Sequence, residues 1–182
     1  MPNSSSSESF GKGLVQVFTG DGKGKTTAAL GTVIRALGQG LRVFIVVFMK
    51  GDYPYGEWEV LSKLSNVSVA KFGTMDFTDP ENVKPGEKEQ AKLALLAGRE
   101  AVLSGNYDLV VLDEVNIAAA WKLIELDEVL KLIRDKPENV ELILTGRYAD
   151  EELVKMANLV TEMRKIKHPY DEGTMAREGI EY

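Results

Sequence analysis

Residues 17–27 (VFTGDGKGKTT) place a glycine-rich turn between an apolar run and a helix-forming segment, and this stretch constrains the chain more than any other. Gly20, Gly22 and Gly24 let successive backbone N–H groups converge on an anion, and the helix that follows adds the positive end of its dipole. Lys25 supplies a point charge, and the Thr26 hydroxyl can ligate a magnesium ion on the same phosphates. A ligand-free surface turn has little reason to combine three alternate glycines with a GKTT ending. The spacing departs from the usual G-x-x-x-x-G-K-[ST] pattern, however. The first glycine would fall at position 19, where the chain has Thr19, and Gly20 comes one residue late. The loop is therefore expected to begin differently from that of an ordinary ATPase.

Hydrophobic periodicity sets this loop in an α/β frame. Segments rich in apolar and β-branched residues at 14–18, 42–49, 67–72, 109–112 and 140–145, with a further one at 159–166, read as strands. Residues 43–49 and 109–112 are continuously apolar, as strands covered on both faces should be. Helical spacing fills 26–37, 57–64, 86–103, 127–136 (with Asp127 as cap) and 150–159 (with Asp150 as cap). The alternation predicts a phosphate-loop, RecA-like three-layer fold: a mostly parallel six-stranded sheet with helices on both faces. Every candidate functional loop then leaves the carboxyl edge of the sheet, where ligands bind in such folds.

The 182 residues suit one domain, over 13–182, behind a Ser-rich tail at 1–12 that buries too little apolar surface to order. A net charge of −6 argues against bulk nucleic-acid binding. The absence of cysteine removes disulfides, iron–sulfur clusters and thiolate nucleophiles. No run is long enough to span a bilayer and no signal sequence is evident, so a cytoplasmic protein away from membranes is expected. The single histidine, His168, has no partner for a metal site, and a structural hydrogen bond is expected of it.

Two further strand ends carry chemistry. Asp113-Glu114 closes the run at 109–112, where phosphate-loop proteins place a magnesium-binding acid. Consecutive strand residues face opposite ways, so only one of the pair should face the phosphates. Thr145-Gly146-Arg147 ends the next strand and could bring an arginine to a ligand at the sheet edge. Aromatic residues in loops, Tyr53, Tyr55, Trp58, Phe72 and Phe77, offer either a platform for a flat ligand or ordinary rim packing.

The loop, the segments 35–40 (RALGQG) and 48–51 (FMKG), 112–116 (LDEVN), 144–147 (LTGR) and the tail from 160 to 182 together resemble the ATP:corrinoid adenosyltransferases of the CobA/CobO/BtuR type. The resemblance covers about residues 14–182. It implies that the Co(I) of a reduced corrinoid (cob(I)alamin or cobyrinic acid diamide) attacks the 5′ carbon of ATP and releases triphosphate. The nucleophile is then the substrate's metal, which suits a chain with no cysteine and one histidine. The resemblance also implies Mg²⁺ or Mn²⁺ as cofactor, an electron-donating reductase, a homodimer, and ATP held in reverse of the ordinary ATPase polarity. Carried over by position, Gly20, Asp21, Gly22, Lys23, Gly24, Lys25, Thr26 and Thr27 form the triphosphate cradle. Lys25, Thr26 and Glu114 are the catalytic group. Thr26 and Glu114 are the metal ligands, with Asp113 second to Glu114, and Arg35 and Arg147 are nucleotide contacts. Relatives carry a Gly-Phe-x-Trp aromatic pair after the third strand for corrinoid binding. Here residues 72–77 read FGTMDF, with Phe77 the nearest candidate. Two alternatives stand beside this reading: a phosphate-loop ATPase or kinase acting at the γ-phosphate, and a non-catalytic ATP-binding module.

Overall fold

The computed structural model describes residues 11–51, 53–74 and 78–182. Six strands, β1 (Val15–Thr19), β2 (Val43–Val47), β3 (Val67–Lys71), β4 (Leu109–Asp113), β5 (Glu141–Thr145) and β6 (Leu159–Glu162), form one sheet in the order β3-β2-β4-β5-β1-β6. Every neighbouring pair is parallel. The helices between them are α1 (Lys25–Gly38), α2 (Gly56–Leu61), α3 (Pro85–Leu103), α4 (Val115–Ala120), α5 (Leu126–Asp135) and α6 (Glu151–Met156).

Strand parity assigns the two faces. Val43, Ile45, Val47, Leu109, Val111 and Ile143 point to the side where α1 and α2 bury Ala29, Val33, Trp58 and Leu61. Val46, Val110, Leu112, Leu142 and Leu144 point to the other side, against α3, α4, α5 and α6. Because both faces are covered, the central strands β4 and β5 are buried along their whole length. This is the three-layer α/β arrangement the alternation predicts.

Three elements differ from expectation. Residues 115–120, given no element from the sequence, form α4; six residues with three alanines are too short to show a periodic stripe. Helix α5 starts after Glu125 and places Asp127 inside its first turn, where the carboxylate complements the helix dipole instead of capping it. Strand β6 stops at Glu162 rather than near 166, because its single neighbour β1 runs out at Thr19. Asp150 does cap α6, its Oδ1 accepting from the Glu152 N–H at 2.8 Å. Residues 1–10, most of the expected tail, lie outside the described residues, as does Phe77. Among the described residues no helix is long and apolar enough to cross a membrane.

Candidate active site

The site is assembled at the carboxyl edge from the ends of β1, β2, β4, β5 and β6. Strand β1 remains extended through Thr19, which pairs with Glu162 of β6 and accepts the Met163 N–H at its carbonyl, 2.8 Å away. Its hydroxyl accepts the Ala149 N–H at 3.2 Å. A glycine is therefore not needed at 19: the turn begins only after β6 has finished pairing, and this accounts for the one-residue shift. At the other end of the loop Gly24 stands before α1 at φ 121°, a conformation that a Cβ would oppose. Between them the Gly22 N–H donates to Met163 O at 2.6 Å, and a Cβ on Gly22 would lie 2.7 Å from that same oxygen.

Lys25 is buried at the start of α1, and its ammonium donates to Gly20 O at 2.7 Å and Gly22 O at 2.8 Å. Burial holds its pKa below the ordinary lysine value, against the opposing pull of Glu114. Thr26 Oγ1 donates to Asp113 Oδ1 at 2.8 Å, and Thr145 Oγ1 donates to the same oxygen at 2.7 Å. The carboxylate meeting Thr26 is thus Asp113, not Glu114, the acid that the resemblance puts first. Parity explains this: position 113 shares the α1 face with 109 and 111, and Thr145 shares it on β5. Glu114 follows the strand in the left-handed region, φ 68°, and lines the cavity instead.

Lys50, just beyond β2, completes the cluster. The register sets Val47 beside Asp113, and the chain then brings the Lys50 ammonium to 2.8 Å from Asp113 Oδ2 and 3.8 Å from Glu114 Oε1. Burial alone would depress the lysine, but the two carboxylates outweigh it and its pKa is raised. Burial likewise opposes ionisation of Asp113, yet Lys50 and the two hydroxyls hold its pKa below the usual carboxylate range. Glu114 goes the other way: burial first, then the charge of Asp113, pushes it up. The adjacent acids are driven apart by which of them holds the better partners.

These residues open onto a cavity of about 450 Å³. Asp21, Gly22, Lys23, Lys25, Lys50, Glu114 and Arg147 supply its polar wall; Phe48, Met49, Tyr53, Tyr55, Ile117 and Trp121 supply an apolar one. Met49, Glu114 and Tyr148, all at this cavity, are non-glycine residues with φ between 60° and 68°, so backbone strain gathers at its rim. A second cavity, about 880 Å³, lies between the loop and the C-terminal segment and is rimmed by Arg147, Arg164, Lys165, Lys167 and Arg177. A third, about 430 Å³, sits at the start of α1 and includes Gly24, Thr26, Thr27 and the final residues Gly179–Tyr182.

The tail therefore belongs to the site. Lys23 donates to Glu181 Oε1 at 2.8 Å and to Ile180 O at 3.1 Å; Arg177 donates to Glu181 from its backbone and side chain; and the Tyr182 ring meets Tyr53 edge-on at 5.6 Å. His168 plays a structural part, its Nδ1 accepting the Tyr170 N–H at 3.2 Å to start a 3-10 turn at Pro169–Glu172. Arg147 is exposed at the mouth of the first two cavities. Arg35 is not brought to the site: it is exposed in the last turn of α1, about 15 Å along the helix from Lys25. Lys50, Trp121, Tyr148 and the clasp at 177–182 were not assigned roles from sequence. Their motifs are visible, but the roles depend on sheet register and on the path of the tail.

The donor set fits a hard divalent cation. A hydroxyl and a carboxylate are already within hydrogen-bonding distance at Thr26 and Asp113, with Glu114 alongside. No group of three His, Cys, Asp or Glu gathers among the described residues.

Residues 11–182 match the family model described as ATP:corrinoid adenosyltransferase BtuR/CobO/CobP. Similar proteins include a corrinoid adenosyltransferase of Escherichia coli (strain K12), 34% identical over 94% of this chain and 86% of that protein. Another, from Sinorhizobium sp, is 37% identical over 94% of this chain and 81% of its own length. The corrinoid adenosyltransferase CobA of Salmonella typhimurium is 35% identical over 94% and 86%. Among solved structures, a KaiC-like protein of Pyrococcus horikoshii superposes with a TM-score of 0.58 at 18% identity, covering 87% of this chain and 75% of that one, which speaks for the fold alone. With a phosphate loop facing an apolar recess and a family match across 11–182, the chain belongs to the ATP:corrinoid adenosyltransferases, enzymes that move an adenosyl group from ATP to a corrinoid.

Proposed function

We propose that the chain transfers the 5′-deoxyadenosyl group of ATP to the Co(I) of a reduced corrinoid and releases intact triphosphate. The observation that carries this reading is the 450 Å³ cavity, in which the phosphate loop and its cations share one space with an apolar wall. A triphosphate and a large, mostly uncharged acceptor have complementary surfaces there. The reaction needs no protein nucleophile, and the chain has no cysteine. Catalysis consists of holding C5′ against the acceptor and stabilising charge on the leaving group.

The loop amides from Gly20 to Thr27 and the Lys25 ammonium bind the triphosphate. Thr26 and Asp113, with Glu114, hold Mg²⁺ or Mn²⁺, which when bound neutralises phosphate charge. Arg147 reaches the phosphates from the cavity mouth, and Asp21 and Lys23 close the loop side. The basic rim of the 880 Å³ cavity supports placing the terminal phosphates toward the tail and the ribose toward the apolar wall. Phe77, which follows β3 in the sequence, belongs to the corrin contacts in this proposal; Arg35 has no part in it. The substrate is cob(I)alamin or cobyrinic acid diamide, a reductase supplies the electron, and the enzyme works in the cytoplasm as a homodimer.

The test is phosphate release from ATP and Mg²⁺ with and without reduced corrinoid. Transfer predicts that ATP is stable alone and is consumed stoichiometrically with added corrinoid. Corrinoid-independent orthophosphate would assign the site to an ATPase, and ATP binding without any consumption would make it a carrier.

A further inference from the structure

Lys50 is a charged residue of this site to which neither the loop motif nor the acidic strand end assigns a task. It could serve only as a counter-ion for Asp113. Two features argue for more. Asp113 already accepts two hydroxyl hydrogen bonds on Oδ1, and Lys50 takes Oδ2 with one of its three N–H donors. Glu114, at 3.8 Å, lies beyond hydrogen-bonding reach. The ammonium also stands 5.1 Å over the Tyr55 ring, so its position is fixed from two sides. It nonetheless lines both the 450 Å³ cavity and the 430 Å³ cavity at the start of α1, standing where the phosphate side meets the apolar side. Lys25, by contrast, gives two donors to loop carbonyls.

We propose that Lys50 is a further catalytic residue, a second lysine on the triphosphate that binds it at the ribose end, where the bond breaks. This rests on the transfer reaction proposed above. In that step the cobalt electron pair forms the Co–C5′ bond and the C5′–O bond breaks. The bonding pair stays on the α-phosphate oxygen, cobalt passes formally from Co(I) to Co(III), and no proton moves. Charge grows on that oxygen as the bond lengthens, and an ammonium already anchored at the junction by Asp113 and Tyr55 stabilises it with little reorganisation.

The experiment measures binding of inorganic triphosphate by calorimetry in Mg²⁺ buffer, the thermal midpoint, and steady-state turnover for Lys50→Gln and Lys50→Arg. Glutamine keeps an N–H donor for Asp113 and removes the charge. The expected result for Lys50→Gln is triphosphate affinity down about tenfold and kcat down about 10²-fold, with folding retained. Lys50→Arg should keep triphosphate affinity within about threefold, since the charge remains. A purely structural Lys50 would instead lower the midpoint of Lys50→Gln and leave triphosphate affinity unchanged, and that result overturns the assignment. Failure of the unsubstituted protein itself to bind triphosphate would overturn the reaction on which the assignment rests.

Discussion

Lys25 shows how far a single side chain could be read from its motif. Its place in the cradle follows from the GKTT ending; its contact with two loop carbonyls does not, since that depends on the path of the turn. Lys25→Ala is expected to lower kcat/KM by about 10³-fold or more, because a desolvated triphosphate would lose its nearest cation; near-normal turnover would remove Lys25 from the cradle. The acidic pair was read less fully. Alternation implies that only one of Asp113 and Glu114 faces the phosphates, and the resemblance puts Glu114 first; that Asp113 is the one beside Thr26 follows from the register that brings Thr26, Thr145 and Lys50 to it. Away from the site, Asp108 ties the start of β4 to Arg42 through hydrogen bonds from its guanidinium and backbone N–H, and these hold the Asp108 pKa below the ordinary carboxylate value. The folded pKa is thus lower than the unfolded one. Its contribution is present above the unfolded value and is lost as pH falls through the folded value. With Arg42 half exposed the pair contributes about 1 kcal/mol, so Asp108→Asn should lower the thermal midpoint by about 2–4 °C at pH 7. That gap should close as pH drops below about 4; a gap that persists in acid would contradict the assignment.

Among the elements, those with long periodic patterns were readable and those defined by contact were not. Helices α1 and α3 and the five-residue strands follow from their apolar spacing. Helix α4 lacks a stripe, yet its Asn116 side chain donates to Gly146 O at 3.2 Å and so holds the ends of β4 and β5 together. The C-terminal segment is the clearest case. Its sequence looked irregular and polar, and most of it is exposed, but residues 177–182 hook onto Lys23 on one side of the cavity and Tyr53 on the other. An exposed ion pair contributes little to global stability, so the hook should matter mainly to the ligand. Removing residues 177–182 is expected to weaken ATP binding about tenfold by freeing the Lys23 side chain, which ATP must then order, while the thermal midpoint moves by less than about 3 °C. Unchanged ATP affinity in the shortened protein would show the hook to be passive.

At the scale of the whole molecule, one sheet of six parallel strands turns every strand's carboxyl end toward the same edge, and the groups assigned to the site sit there. That much follows from alternating strands and helices. What the chain alone could not supply is which side of the edge each residue faces, because parity and register are properties of the assembled sheet. The misplaced glycine is the exception: its position was visible at once, and its cause, the pairing of Thr19 with β6, became visible only in the fold. The account's central claim is that this edge grips triphosphate as a leaving group and delivers the 5′ carbon to cobalt. The most direct measurement follows the products of one turnover with ATP labelled with ¹³C at C5′, Mg²⁺ and reduced cobalamin. The account predicts intact triphosphate equal in amount to a light-sensitive adenosylcobalamin bearing the label on the carbon bound to cobalt. Orthophosphate or diphosphate as the main product, with no label on the corrinoid, would contradict it.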